Sequence, residues 1–254
     1  FGNCYATNAE RGKNQAMSRN GILLIFLSIL WGHDPQADAP QWTAYTRGGL
    51  VNVSNNNSGA ATYFRLKRTT SYTFRDVRFY AHIFGSDQDI RFRQKSSRIF
   101  VSLPWLYNFT AVSYQRNTLV DVALRYHYNQ GLGMLIRNTD SGNMTTEMGM
   151  AYDMSDYLED TRKTSYLKLA FTHDQDFRYI STKLELDYYF QISDINVYNL
   201  SRFQAMGELQ WKFYQNLKLI GGVYQELPAD GTYNNQNALL YITLSWSKRL
   251  QWSY

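Results

Sequence analysis

The stretch "NTLVDVALRYHYNQGLG", residues 117–133, places Val120, Val122, Leu124, Tyr126 and Tyr128 at alternate positions, with Asp121, Ala123, Arg125 and His127 between them. A β-strand sends successive side chains to opposite faces, so this segment reads as a ribbon with one apolar and one charged side. If the apolar side turns inward, the chain is a soluble sheet protein. If it turns outward, only lipid can solvate it.

The same alternation recurs along the chain. In "ISTKLELDYYF" (180–190), Ile180, Thr182, Leu184, Leu186, Tyr188 and Phe190 share a face opposite Ser181, Lys183, Glu185, Asp187 and Tyr189. In "FQAMGELQWKF" (203–213), Phe203, Ala205, Gly207, Leu209, Trp211 and Phe213 oppose Gln204, Glu208, Gln210 and Lys212. Helical spacing fits neither segment. Further strands are predicted at residues 43–53, 61–72, 74–84, 97–103, 106–115, 132–137, 144–152, 164–173, 217–226 and 238–250.

Alternation alone does not distinguish a sandwich from a membrane barrel, but the connections do. Counted back from the C-terminus they run long ("LPADGTYNNQN"), short ("YQN"), long ("QISDINVYNLSR"), short ("HDQDF"), long ("YDMSDYLEDTRK") and short ("NTDSGN"). Outer-membrane barrels have this asymmetry, with short turns on the periplasmic side and longer loops outside. The alternation breaks before residue 131, where "NQG" is short in a place that calls for a long loop.

Length and composition agree. At 254 residues the chain suits a single large all-β domain. Apolar residues at 44% exclude disorder, and 21 Tyr, 14 Phe and 6 Trp against 4 Pro favour strands. Aromatics gather at the two lipid–water levels of a membrane barrel, which accounts for their excess. A closed sheet is required there, because an open edge would leave unpaired amides in hydrocarbon. The closing "LQWSY" puts Leu250, Trp252 and Tyr254 in phase, an ending that barrel insertion machinery reads. The expected fold is therefore an antiparallel up-and-down transmembrane β-barrel of about 12 strands (10–12), placed in the bacterial outer membrane.

The N-terminal region reads as a transport signal. From Met17, a short basic start leads into an apolar core at Gly21–Trp31 and the small-x-small triplet Ala37-Asp38-Ala39, so residues 17–39 are expected to be a signal peptide. Residues 1–16 read as an upstream extension or fragment end, and the barrel occupies residues 40–254. The only cysteine, Cys4, precedes the signal, which leaves no intrachain disulfide and no Cys-x-x-Cys metal site. The net charge of +5 is scattered without a basic run, so no nucleic-acid partner is expected.

The segment Arg116–Tyr157, with its strand of Asp and aromatic residues, its "GLG" step and its Glu147-x-Gly149-x-x-Tyr152 pattern, resembles the YdiY-like family of salt-induced outer-membrane proteins. The closing "GVYQELPADGTYNNQNALLYITLSWS" is similar to that family's final hairpin, although this chain continues with "KRLQWSY". The resemblance covers residues 42–250 and implies an outer-membrane barrel of undefined function. It brings no catalytic residues with it.

If the apolar faces meet lipid, the lumen receives Asp121, Arg125, His127, Glu147, Lys168, Lys183, Glu185, Asp187, Glu208 and Lys212. Charges of both signs in an enclosed space are expected to pair, as a salt-bridged filling or the lining of a narrow polar pore. A lipid-modifying hydrolase would need a serine within hydrogen-bond reach of a histidine. Neither His82, His127 nor His173 has a serine two residues on, so no catalytic residue is assigned. The echo "DQDIRF" (87–92) and "DQDFRY" (174–179) supplies too few oxygens for calcium and reads as two similar turns. No metal or cofactor is expected, and the expected partners are outer-membrane lipid and the insertion machinery. The expected role is structural, stress-related or passive permeation. The alternatives are an outer-membrane lipid-modifying hydrolase and a secreted soluble β-barrel ligand binder.

Overall fold

The computed structural model describes residues 39–53, 57–85, 87–118, 122–155, 162–193, 199–229 and 238–252. These form twelve strands: β1 (Gln41–Val53), β2 (Asn57–Thr69), β3 (Thr73–Phe84), β4 (Asp87–Phe100), β5 (Leu103–Asn117), β6 (Val122–Thr139), β7 (Gly142–Ser155), β8 (Arg162–Asp176), β9 (Ile180–Gln191), β10 (Arg202–Lys212), β11 (Leu217–Pro228) and β12 (Leu239–Leu250). Each pairs antiparallel with the next. The last strand returns to the first, from Trp42 opposite Leu250 to Val53 opposite Leu239, and the barrel closes. Closure leaves no strand edge unpaired, which is the condition for crossing hydrocarbon. Apart from Ala39, the expected signal peptide lies outside the described residues, as do residues 1–16, Cys4, Asp121 and Tyr254.

Two strand assignments need correction. The described part of the opening stretch, from Val122, and the predicted strand at 132–137 are one long strand, β6, with a register shift between Leu135 and Arg137. The segment at 97–103 is the end of β4, a turn and the first residue of β5, while β4 itself begins at Asp87. The "NQG" anomaly thereby disappears. Asn129, Gln130 and Gly131 sit mid-strand opposite Ala111, Thr110 and Phe109, and no loop belongs there. On the end that carries the termini, the connections are residues 70–72, 101–102, 140–141, 177–179 and 213–216. On the other end they are 54–56, 85–86 and 118–121 in the first half of the chain and lengthen to 156–161, 192–201 and 229–238 in the second.

Orientation follows from exposure. Leu50 is 74% exposed, Ile242 63% and Leu209 57%, and Tyr126, Tyr128, Leu132, Met148, Leu184 and Leu244 are exposed beside them. The interleaved Asp76, Asp89, Glu147, Asp153, Lys168 and Glu208 are buried. The apolar face is therefore outside and the charged face inside, which excludes the soluble ligand binder. In water that outer surface would be a single apolar patch around the whole barrel, far beyond what a soluble monomer exposes. Exposed Trp105, Phe177, Tyr179, Trp211, Phe213, Trp246 and Trp252 ring the terminal end, and Trp252 packs edge-on against Trp42 at 5.4 Å. Tyr126, Tyr128, Tyr152 and Phe190 lie toward the opposite end. These are the two interfacial girdles of a membrane barrel.

The glycines of the "GLG" step have a packing role. Gly133 faces Tyr107 across β5 and β6, and a Cβ on Gly133 would stand 2.2 Å from the Tyr107 ring. The bare backbone lets that ring lie flat against the wall and donate its hydroxyl to Glu147 at 2.7 Å. The arrangement repeats on the far wall, where Gly222 leaves room for the Tyr241 ring and Tyr241 donates to Glu208 at 2.7 Å. Gly221, by contrast, has no atom within 4 Å of where its Cβ would be. We expect Gly133→Ala to destabilise the barrel by about 1 to 3 kcal/mol through overpacking, while Gly221→Ala is neutral or slightly stabilising. Urea midpoints of the two variants refolded in detergent check this, and equal midpoints would remove the packing argument.

Candidate functional site

Because the barrel is closed and its inner face is polar, the candidate site is the lumen. Its carboxylates sit low against the wall, and cations from other strands reach over to them. Glu208 on β10 takes Arg47 of β1 at 2.5 Å together with the Tyr241 hydroxyl. Glu147 on β7 takes Lys95 of β4 and the Tyr107 hydroxyl. Asp153 on β7 takes His127 Nδ1 from β6 and Arg202 Nη2 from β10 at 2.9 Å. Asp76 on β3, only 1% exposed, is shared by Arg65 at 2.7 Å and Arg78 at 2.5 Å. Lys168 meets Asp187 at 3.0 Å, and Lys183 meets Glu185 at 2.7 Å. Several of these contacts cross the lumen: Arg78 on β3 faces Glu185 on β9 at 3.7 Å, from the opposite wall.

The interior is not uniformly polar. Val51, Val53, Ala61, Phe84, Ile220, Leu239 and Tyr241 pack against one another inside the wall formed by β11, β12, β1, β2 and β3. Ala151, Tyr166 and Tyr189 form a second cluster, covered by Leu200 from the connection between β9 and β10. At the strand end beside it, Gln191 Oε1 accepts from the Leu200 amide at 2.6 Å and Ser201 O accepts from the Ala229 amide at 2.8 Å. What remains is a cavity of about 160 Å³.

Of the residues expected in the lumen, Arg125, His127, Lys168, Glu185 and Asp187 line this cavity. Glu147, Lys183 and Glu208 lie in the ion-pair network around it. Lys212 is exposed at the end of β10, away from the network, and Asp121 lies outside the described residues. Sequence reading missed Arg47, Arg91, Arg93 and Arg202, all of which line the cavity. One signal was present for Arg91. In a strand, Asp-x-Arg puts both side chains on one face, and Asp89 is buried in β4 holding Arg91 Nη2 at 2.8 Å, as Asp76 holds Arg78 in β3. "DQDIRF" is therefore the start of a strand and not a turn, whereas "DQDFRY" ends β8 and enters one.

Strand register also assembles a row that local sequence cannot show. At one level of the inner wall, Arg78, Arg93, Ser113, His127 and Asp153 are consecutive cross-strand partners on β3, β4, β5, β6 and β7. Serine, histidine and aspartate thus stand in the order of a catalytic triad. His127 is bonded to Asp153, but the Ser113 hydroxyl makes no hydrogen bond to any described residue. Among the described residues no group of His, Cys, Asp and Glu is arranged to hold a metal ion.

No known family profile matches the chain, and no curated protein sequence matches it. Solved structures do. The chain superposes on the NanC porin with a TM-score of 0.56 at 9% identity, over 80% of this chain and 98% of the porin. The KdgM porin in complex with disordered oligogalacturonate gives 0.47 at 12% identity, over 80% and 98% of the two chains. The monoaromatic hydrocarbon channel CymD gives 0.42 at 10% identity, over 84% and 90%. At 9% identity the superposition on NanC speaks for the fold alone, and that fold is the twelve-stranded, closed, antiparallel barrel of an outer-membrane porin.

Proposed function

We propose that this chain is an outer-membrane barrel through which small polar solutes or ions permeate passively, with lipid around it and β12 as the segment offered to the insertion machinery. The observation that carries the reading is the pairing of a lipid-compatible outer face with a polar, ion-paired lumen that still encloses a cavity. Crossing ion pairs and the cluster of Ala151, Tyr166 and Tyr189 with Leu200 keep the passage narrow, so the conductance is expected to be small. The test is single-channel recording of the refolded chain in planar bilayers. Small discrete openings are the expected result, and a barrel that inserts but never conducts would leave a structural role.

Membership of the YdiY-like family, and the stress-related role it would bring, belongs to the same proposal. The residues behind that resemblance have structural tasks here. Gly133 admits the Tyr107 ring, Glu147 accepts its hydroxyl, and Tyr152 joins the outer girdle. They therefore support a shared barrel more than a shared role. The hydrolase reading is favoured by the register of Ser113, His127 and Asp153, but it lacks the serine–histidine hydrogen bond that activates a nucleophile.

A further inference from the structure

We infer that the lumen holds a binding site for small oxyanions, carboxylate or phosphate, centred on Arg93. The site deepens the permeation reading by naming the class of solute, but binding itself does not require that the barrel conduct.

The inference starts from the register of β4. On one side Arg93 is directly opposite Arg78, and on the other it is opposite Ser113. Like charges directly opposite on neighbouring strands are destabilising, and the acid on β3 beside this pair, Asp76, is engaged by Arg65 and Arg78. Arg78 is already held by Asp76 at 2.5 Å. Arg93 has no salt bridge and no hydrogen bond to a described residue. The acids that face it are committed elsewhere, Asp187 to Lys168 at 3.0 Å and Glu185 to Lys183 at 2.7 Å. A guanidinium presents five donors, and these have room to reach a ligand because Arg93 lines the cavity.

The surroundings of Arg93 supply the rest of an anion site. Ser113 and His127 follow it along the same row and also line the cavity. Arg202 enters from the other side, stacked over Tyr189 at 4.3 Å, and its Nε lies 3.6 Å from Glu226 Oε1, an ion pair too long to be a hydrogen bond. The cations at the cavity are Arg47, Arg91, Arg93, Arg125, Lys168 and Arg202, whereas Glu185 and Asp187 are the carboxylates among its described lining. Of their other counter-charges, Asp89, Asp153 and Glu208 are buried in the wall, and Glu226 lies 3.6 Å from Arg202 and 4.0 Å from Arg125. Cationic side chains outnumber carboxylates six to two among the described lining of the cavity. Low-dielectric walls lined by one sign of charge concentrate the opposite ion, and Arg and Lys linings select anions in pores.

The test is calorimetric titration of the full chain, refolded in detergent at low ionic strength, with inorganic phosphate, with acetate and with choline as separate probes. Low salt matters because screening weakens such contacts. We expect phosphate, acetate or both to bind and choline not to, and the stronger of the two anions names the class. Arg93→Gln should weaken anion binding by roughly ten- to hundredfold, the worth of a charged hydrogen bond, and Arg93→Lys should recover part of it. The Gln variant should fold at least as well as the parent, since it removes the repulsion of Arg78. Unchanged anion affinity in Arg93→Gln, or binding of choline as tight as that of the anions, overturns the inference. Reversal potentials across a potassium chloride gradient separate it from the permeation reading. Current carried mainly by chloride supports both, whereas a conducting barrel that prefers potassium overturns the anion site and leaves the pore. Anion binding by a barrel that never conducts supports the site and overturns the pore.

Discussion

Leu184→Arg is expected to abolish assembly into lipid, while Lys183→Ala, one residue earlier on the same strand, leaves it largely intact. Leu184 points outward in the middle of β9, among the exposed apolar side chains. An arginine at the bilayer midplane on the lipid face costs about 2 to 4 kcal/mol. Lys183 points inward and pairs with Glu185 at 2.7 Å. When Lys183 is lost, Glu185 still has Arg78 at 3.7 Å, so no buried charge is stranded. Heat-modifiable gel migration after refolding into vesicles reads the folded fraction, and Leu184→Ala controls for lost contact area. Equal folded fractions for Leu184→Arg and Lys183→Ala would mean that the two faces have been assigned to the wrong sides.

Asp76→Ala is expected to be the most damaging interior change. Asp76 is the acid shared by Arg65 and Arg78, and Arg78 already stands opposite Arg93. Removing it leaves three guanidinium groups on adjacent strands. Arg78 then keeps only the longer contact to Glu185, and Arg65 loses the one salt bridge it makes among the described residues. Breaking a buried pair by deleting one partner typically costs about 3 to 5 kcal/mol. The urea midpoint should fall accordingly. The double variant with Arg93→Gln should recover part of the loss, because it removes one of the three like charges. The contrast with Lys183→Ala isolates the physics, since both remove one charge from the lumen wall but only the first strands its partners. A midpoint unchanged by Asp76→Ala would mean that water in the lumen solvates these arginines as well as the carboxylate does.

The fold was legible because alternation is a local property. Ile180 to Phe190 declare a two-faced strand whatever surrounds them, and the lengthening of alternate connections toward the C-terminus points to a barrel with two unlike ends. The errors arose where locality failed. "NQG" looked like a turn because Asn and Gly favour turns, yet Gly131 sits mid-strand opposite Phe109, and Asn129 is buried there. "DQDIRF" looked like a turn for the same reason, although Asp89 is in the ladder holding Arg91.

By itself, then, the sequence determined that this chain would form amphipathic strands, that their number would be near twelve, and that acids and bases would share one face. All of this follows from the period-two geometry of an extended backbone and from the cost of leaving its amides unpaired in oil. The tertiary structure alone decided which acid meets which base across strands. Arg78 and Glu185, or Arg47 and Glu208, are far apart in the chain and come together only because closure sets the facing walls within ion-pair range. Register decided the rest. By placing Arg93 between Arg78 and Ser113 it left a guanidinium without a salt bridge among the described residues, because cross-strand neighbours are set by pairing and not by position along the chain.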